Sequence, residues 1–513
     1  MRILGISSMF HDAAVCVVED GEIQFAAHAE RYSRSKNDAF INKDLIGEAL
    51  AHGVPDVIVF HEKSWAKRLR NRLAGNKHSL QEPTAQQWIE DFYPELRGIK
   101  QVQYWHHETH AAAGVLTSGW DECAVLVIDA IGEFDTTTIW DWKGGKLKKK
   151  WGKRYPTSLG LFYSAVTHHV GLKPMEDEYI LMGMAAYGKP LYTDLLDKCY
   201  FKSPKKVDCK VNLQRGIPVD EFGSLRAKAV ELEEPDEWGH YSIDYDIAAS
   251  AQQLIERKIH LLGELAKKKT GHNKLVFQGG VALNCVANSN LHQTFDKTWI
   301  MPNPGDAGSA LGAAVLHYYN TMGQICQWRG PYLGTNIPGK YPVKTALRAL
   351  IKGEIFGIAN GRAEYGPRAL GNRSLCADPR GNEIKDRMNV IKRRQKFRPF
   401  APMILEEHVN DYFEMPGELT YAPYMQYVAR CKHPEQFPAI VHADGTSRVQ
   451  TVNAKDHPEL HDLLTQWYEY SGCPMIVNTS LNIKGQPIVN NAREAIEFTH
   501  HYNIPVYTHD PRN

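Results

Sequence analysis

At 513 residues the chain exceeds the roughly 250–300 residues over which one hydrophobic core keeps growing, so at least two domains are expected. A composition of 43% hydrophobic and 23% charged residues is that of a globular protein and excludes an extended disordered chain. Lys and Arg, 60 in all, nearly cancel 59 Asp and Glu, and a net charge of +1 supplies no long-range field for nucleic acid or an anionic membrane.

In chain order, Ile3–Ser7, Ala14–Glu19 and Glu22–Ala27 read as three strands of a β-meander, the last two joined by an Asp20-Gly21 turn. His11 and Asp12 interrupt the N-terminal hydrophobic stretch, which argues against a signal peptide; with no apolar run near the ~18 residues of a membrane helix, the chain is expected in the cytoplasm. The meander pattern returns at Ala124–Asp129, Asp135–Lys143 and Lys146–Arg154, with Gly144-Gly145 turning between the last two. Each copy carries polar residues after its first strand, Ser7 through Asp12 and Asp129 through Asp135, where a sheet can present them to a shared cleft. Duplicated meanders characterise the actin and sugar-kinase superfamily, so an actin-like (duplicated RNase H-like) α/β fold is expected by analogy.

Within Ala248–Lys268 the residues Ala251, Leu254, Ile255, Leu262 and Leu265 recur at helical spacing. A strand at Lys274–Phe277 then runs into Gly279-Gly280 and a helix from Val281. That order brings backbone N–H groups to a phosphate or ribose, though a Gly-Gly pair after a strand is more often a plain turn. Gly330–Lys344, rich in Gly and Pro, reads as a linker between a first domain, 1–335, and a second α/β unit, 345–513. Strands are expected in the second unit at Glu354–Ala359, Pro474–Val477 and Ile504–Tyr507, with a helix near Ala492–His500. The nine cysteines are scattered and form no C-x-x-C pair, so neither a disulfide framework nor a thiolate zinc site is indicated.

Candidate chemistry begins with His106 and His110, four apart, which on a helix share a face and can grip one metal, while His107 points elsewhere. Imidazoles at this spacing also serve as caps or hydrogen-bond partners, so further ligands matter. Asp129 ends an apolar strand, and Asp306 lies in the Gly-flanked turn Pro304-Gly305-Asp306-Ala307-Gly308. Two His and two carboxylates make a mixed N/O set suited to Fe(II), Mn(II) or Zn(II) that leaves positions open for substrate. His11, beside Asp12, is the natural residue to take a proton from a hydroxyl at neutral pH.

The second unit holds Lys385, Arg387, Lys392, Arg393, Arg394, Lys396 and Arg398 in one short run. A solvated helix face, a nucleic-acid patch and a pocket for small phosphates all fit such a run. The scarcity of interleaved aromatics and the neutral chain argue against the second. The stiff Phe397-Arg398-Pro399-Phe400-Ala401-Pro402 tail favours the third. Gly361–Arg373, with three arginines among glycines, and the polar loop Asn478–Asn482 extend the same cradle.

At this point the chain resembles the O-carbamoyltransferases of nodulation-factor and antibiotic biosynthesis, over nearly its whole length. The markers are Phe10–Ala14, Ala29-Glu30-Arg31, the His106–His110 pair, Ser158–Ser164, Gly279–Asn284, Gly305–Gly308, Gly361–Arg373, Phe397–Pro402 and Asn478–Asn482. The resemblance implies an actin-like N-terminal transfer domain and a YrdC-like C-terminal domain that forms carbamoyl adenylate from carbamoyl phosphate and ATP, with Mg accompanying the nucleotide. It implies His106, His110, Asp129 and Asp306 as ligands of iron or another divalent metal and His11 as base. Gly279, Gly280 and Asn284 fall where the adenylate is held. Lys392, Arg398, Arg448, Asn478, Ser480 and Asn482, with Arg368, fall at the carbamoyl phosphate and ATP site.

The family's Glu-Tyr-Lys-x-Met-Gly-Leu-Ala-Pro-Tyr-Gly stretch appears as Glu178–Gly188 without its lysine and proline, which implies a changed acceptor or nucleotide contact. The expected partner is a small hydroxylated acceptor; no membrane or nucleic acid is expected, and a homodimer is allowed but not required. A threonylcarbamoyl-transferring tRNA factor and a nucleotide-gated interaction module are the rival readings. The first needs a basic surface, and the second leaves the His and Asp set unexplained.

Overall fold

The computed structural model describes residues 1–76, 78–81, 83–209, 231–395 and 398–510; Lys396 and Phe397 of the basic run lie outside the described residues. The chain is mixed α/β and separates into two compact units. The first comprises Met1–His61, Ala85–Tyr104 and Met301–Asn513, and the second Glu62–Thr84 and Trp105–Ile300. Among the described residues no helix is long and apolar enough to cross a membrane.

In the first unit the opening meander forms as β1 (Arg2–Ser7), β2 (Ala14–Glu19) and β3 (Glu22–His28), followed by β4 (Val57–Phe60) and β5 (Lys100–Gln103). The sheet order is β3-β2-β1-β4-β5, antiparallel through the meander and parallel from β1 through β4 to β5. β1 and β2 are continuous apolar runs because both faces are covered. Leu4, Ile6, Val15, Phe25, Ile58 and Phe60 pack with Trp88 and Ile89 in one core. The helix Gly308–Met322 lies across β1 so closely that a Cβ on Gly5 would strike the carbonyl oxygen of Ala310.

The second unit repeats this plan. Its strands are β6 (Glu122–Ile128), β7 (Asp135–Lys143), β8 (Lys146–Arg154), β9 (Lys274–Gln278) and β10 (Lys297–Trp299), in the order β10-β9-β6-β7-β8. Counted within each unit, both sheets run third, second, first, fourth, fifth strand with the same directions. This is the duplication expected of an actin-like chain. The lysine-rich β8 takes the edge, where charge deters further strand pairing. The helix expected near residues 248–268 runs from Ser242 to Thr270 and stops where Gly271 turns left-handed (φ 77°) after three lysines in its last turn.

The remainder of the first unit holds a six-stranded sheet in the order Gln450–Val452, Ala401–Leu405, Met475–Ser480, Arg373–Ala377, Phe356–Ala359, Val506–Tyr507. Leu350, Phe356, Ile358, Met403, Leu463, Trp467 and Ile476 form its core with the helices Val343–Ile351 and Pro458–Ser471. The stretch read as a linker contains a strand, Tyr332–Ile337, paired antiparallel with Gly361–Glu364. Gly330 and Pro331 precede that strand and Pro338 and Gly339 follow it, and the division expected at 335–345 falls inside the first unit.

The Pro458–Ser471 helix carries a pH liability. His457 caps it, accepting from the Leu460 N–H at 3.2 Å through Nδ1, while Nε2 lies 2.9 Å from Asn372 Oδ1. Burial pushes this imidazole down to about 4, so the native ring stays neutral while the unfolded chain takes a proton below ~6.5. Stability therefore falls as pH drops from 6.5 toward 4, by about 3 kcal/mol from this residue at 1.36 kcal/mol per unit. Urea denaturation at pH 7 and pH 4.5 is expected to show a smaller acid loss in H457N, which keeps a capping oxygen but cannot titrate.

Candidate active site

In the second unit, the helix His106–Ser118 begins at the histidine pair. Its first N–H groups need an acceptor, and the buried Glu133 carboxylate supplies one. Both Glu133 oxygens accept from the His106 N–H, at 3.1 and 3.2 Å, and Oε1 also accepts from the Lys63 N–H at 2.7 Å. Burial raises the Glu133 carboxyl above the usual carboxylate range. Ala111, Ala112, Ala113 and Gly114 let the helix lie against the sheet: a Cβ on Gly114 would strike Val276.

This packing places His106 Nε2 at 2.9 Å and His110 Nε2 at 3.3 Å from Asp129 Oδ2, with the two Nε2 atoms 3.1 Å apart. All three residues are buried and their ligand atoms lie within 4.8 Å of one another. Three such donors so close together suit a divalent cation with N/O ligands. His107 points away, its Nδ1 2.9 Å from Thr138 Oγ1, and burial holds it neutral, with its pKa well below the ordinary value.

Asp129 is held by its surroundings. Its Oδ1 accepts from the N–H groups of Ala130 at 2.8 Å and Gly280 at 3.3 Å. The Ser158 hydroxyl sits on the Asp129 and Ala130 carbonyls at 3.2 and 2.7 Å and accepts from the Leu161 N–H, so the Ser158–Ser164 motif backs the aspartate from behind. Gly279 has φ 92° and sits against Ile128, whose carbonyl oxygen a Cβ would strike; only glycine fits there. The chain then makes a 3₁₀ turn, Gly280–Leu283, and a short helix, Cys285–Ser289, in place of the single helix expected from Val281. Asn284 caps that short helix through the Ala287 N–H and forms a reciprocal amide pair with Gln252, both bonds 3.0 Å. Gln252 also accepts from the Tyr163 hydroxyl at 2.8 Å. At the position of the family's lysine, Ile180 is buried in the core.

In the first unit, His11 and Asp12 follow β1, with Asp12 in the left-handed region at φ 53°. His11 Nδ1 lies 3.0 Å from Asp12 Oδ2, and its Nε2 lies 3.7 Å from Oδ2 of the buried Asp306. A carboxylate at Nδ1 selects the tautomer that leaves Nε2 as the basic nitrogen. The close approach of the Gly308–Met322 helix to β1 puts the Asp306 turn beside the β1 loop, and the Gly308 N–H closes that turn on the Gly305 carbonyl at 2.9 Å.

The basic run of the first unit divides. Arg387 and Arg393 are exposed, while Lys392 is buried. Lys392 Nζ donates to Ser480 O at 2.5 Å, Ser480 Oγ at 3.1 Å and Asn482 Oδ1 at 2.6 Å. Burial, with the Arg394, Arg398 and Lys36 charges nearby, pulls its pKa well below the ordinary lysine value. Asn478 holds the Ala369 carbonyl at 2.9 Å and Gln450 Oε1 at 2.6 Å, and Gln450 donates to the Leu370 carbonyl at 3.1 Å. The half-buried Arg368 precedes Ala369, and the half-buried Arg448 ends a strand two residues before Gln450. Among the Gly361–Arg373 arginines the cradle reading needs correction. Arg373 is buried and donates to the carbonyls of Asn490, Asn360, Asn372, Thr335 and Gly361. Arg362 is likewise occupied by the Leu333 and Gln24 carbonyls. Both brace backbone that would otherwise be buried without donors.

Sequence reasoning missed Glu133, Gln252, Glu364 and Gln450. Glu364 Oε1 accepts the N–H groups of Leu370, Asn372 and Arg373 at 2.7, 2.9 and 3.2 Å and so shapes the loop that carries Arg368. A polar residue on the buried face of an apolar helix, as with Gln252, was the one available signal.

The Carbamoyltransferase N-terminus family model matches residues 2–65 and 95–315, and the Carbamoyltransferase C-terminus model matches residues 347–510. Uncharacterized protein sll1178 of Synechocystis is 34% identical over 96% of this chain and 93% of its own length. Nodulation protein NolNO of Sinorhizobium fredii is 29% identical over 96% of this chain and 77% of its own. Nodulation protein NolO of Bradyrhizobium diazoefficiens is 33% identical over 76% of this chain and 75% of its own. Among solved structures, T. kodakarensis HypF aligns at 14% identity and a TM-score of 0.35, covering 63% of this chain and 48% of that one. Component A of the Acidaminococcus fermentans (R)-2-hydroxyglutaryl-CoA dehydratase aligns at 15% and 0.36, covering 63% and 100%.

Proposed function

Because the chain belongs to the carbamoyltransferase family and is an enzyme that moves a carbamoyl group, we propose that it carbamoylates a hydroxyl of a small molecule by way of carbamoyl adenylate. In this reading a YrdC-like domain at 345–513 has one water cleave carbamoyl phosphate to carbamate and phosphate, and the carbamate oxygen then attacks the α-phosphate of ATP, giving carbamoyl adenylate and releasing pyrophosphate. An actin-like domain at 1–335 then transfers the carbamoyl group. Lys392 beside Ser480 and Asn482, with Arg398, Arg448, Arg368 and Asn478, binds the phosphate groups. Gly279, Gly280 and Asn284 hold the adenylate for transfer.

The observation that carries the reading is the buried cluster of His106, His110 and Asp129 in a member of this family. With Asp306 as fourth ligand, these residues hold iron or another divalent metal. When bound, the metal supplies a Lewis acid for charge that develops on the carbonyl or the leaving phosphate. Glu133 keeps the first turn of the His106–Ser118 helix in place, and Ser158 keeps Asp129 in place. His11 takes the acceptor proton on Nε2 while Asp12 holds Nδ1. The help is needed: at pH 7 an unassisted hydroxyl of pKa roughly 15–16 reaches its alkoxide at a cost of about 12 kcal/mol. The hydroxyl oxygen attacks the carbamoyl carbon, the bond to the phosphate oxygen breaks, and AMP leaves. A mixed anhydride of this kind hydrolyses in bulk water, so water must be excluded along its route.

The test is to incubate the protein with ATP, labelled carbamoyl phosphate and pooled hydroxylated metabolites. Pyrophosphate release that requires carbamoyl phosphate, and one compound heavier by a carbamoyl group, are the expected results. ATP turnover indifferent to carbamoyl phosphate would remove the adenylate from the account.

A further inference from the structure

The Ala29-Glu30-Arg31 motif has no part in the chemistry of the two pockets, yet the structure buries Ala29 and Arg31 in the first unit and leaves Glu30 half-buried. Arg31 is 3% exposed. Its Nη2 donates to the Gly366 carbonyl at 3.2 Å, whereas Nε and Nη1, equally buried, reach no acceptor. The neighbouring arginines are unlike it. Arg34 donates to the carbonyls of Ile488 and Pro487 and pairs with Glu494 at 2.9 Å, and Arg373 is caged by carbonyls. Glu30, Glu364 and Glu494 favour the Arg31 charge through space, but Glu364 Oε1 is taken by three backbone N–H groups, the buried Glu364 Oε2 makes no hydrogen bond, and Glu30 accepts from the Asn37 N–H at 3.0 Å. A guanidinium is charged at every accessible pH and offers five N–H donors. Burying it with donors unused is costly, and the usual remedy is an anionic oxygen.

Its location says which anion. Gly366 lies two residues before Arg368, in the loop that Asn478 and Gln450 tie to the Lys392 side of the fold. The same loop is docked on the turn that carries Asp306. The Tyr365 hydroxyl donates to the Ala307 carbonyl, and a Cβ on Gly366 would come within 2.7 Å of the Pro302 carbonyl oxygen. His28 stands edge-on to the Tyr365 ring at 5.5 Å and lies 2.9 Å from Asn303. Arg31 is therefore at the junction of the loop bearing Arg368 and the turn bearing Asp306, both inside the first unit.

We propose that Arg31 is an anion-binding station between these two loops, contacting the phosphate of a carbamoyl adenylate as it passes from the cationic pocket toward the Asp306 turn. The proposal rests on the adenylate reading and adds a residue to its route. It makes Arg31 matter for the yield of transfer per adenylate formed, which a merely structural arginine would leave unchanged.

The readout is the ratio of carbamoylated product to pyrophosphate released under one set of conditions. In R31Q the ratio is expected to fall at least tenfold, with the lost adenylate appearing as AMP without product. A wild-type ratio in folded R31Q overturns the proposal and leaves the adenylate reading standing. Absence of carbamoyl-phosphate-dependent pyrophosphate from the wild-type protein overturns both. Thermal unfolding reports folding; where R31Q does not fold, R31K decides. That variant keeps the charge and a donor for the Gly366 carbonyl but loses the remaining planar N–H groups. A fall of threefold or more is expected for it, and an unchanged ratio overturns the proposal.

Discussion

H110A is expected to lose both bound divalent metal and carbamoyl transfer, the latter by about 10³ or more, since a Lewis acid is worth several kcal/mol and each 1.36 kcal/mol is tenfold. The reason is local. His106 Nε2, His110 Nε2 and Asp129 Oδ2 converge within 3.3 Å, and deleting one imidazole leaves a carboxylate and a histidine that grip a cation far less well. Metal content by elemental analysis and transfer by product mass are read separately. H11A supplies the contrast: it should keep its metal and lose roughly 10² to 10⁴ in transfer, the worth of a placed base. Full transfer in H110A, or full metal content with no loss of rate, would remove these residues from the site. Full transfer in H11A would remove only the base.

K392M is expected to lower carbamoyl-phosphate-dependent pyrophosphate release by about 10³, comparable to removing a preorganised donor to a transferring phosphoryl group. Lys392 is buried and holds Ser480 O, Ser480 Oγ and Asn482 Oδ1, so the variant loses a cation and the donor shared by the end of the strand Met475–Ser480 and the following Asn482. K392R should not restore the rate, because a guanidinium cannot occupy the space of an ammonium gripped by three oxygens. The direction of its pKa adds a pH signature. The ammonium loses its charge well below the ordinary lysine value, and the charged form is the one that binds phosphate. The KM for ATP is therefore expected to rise with pH through that lowered value in the wild-type protein and to lose this dependence in K392M. Pyrophosphate release by K392M at the wild-type rate would exclude Lys392 from the phosphate site.

Much of this was legible in the residues, and the reason is that the legible parts are local. β2, β7 and β8 begin and end where alternation and turn residues put them. The i, i+4 spacing placed His106 and His110 on one helix face and turned His107 away, as its bond to Thr138 confirms. The cradle of arginines was harder, because the fate of a charged side chain depends on what the chain brings to it. Three arginines among glycines read alike, yet the fold gives Arg373 to the carbonyls of Asn490, Asn360 and Thr335 and leaves Arg368 on the loop between its anchors.

By itself the sequence determined the duplicated meander, the positions of the paired imidazoles, the His11-Asp12 loop and the family, since each is written in spacings of a few residues. Only the tertiary structure decided that Lys392 turns inward while Arg387 and Arg393 face solvent, that Tyr332–Ile337 is a strand, and that Arg31 is buried against Gly366. Those outcomes rest on contacts between residues as far apart as Arg31 and Gly366. Periodicity carries no register over such separations, and burial then sets whether a charge is solvated, braced or left to bind.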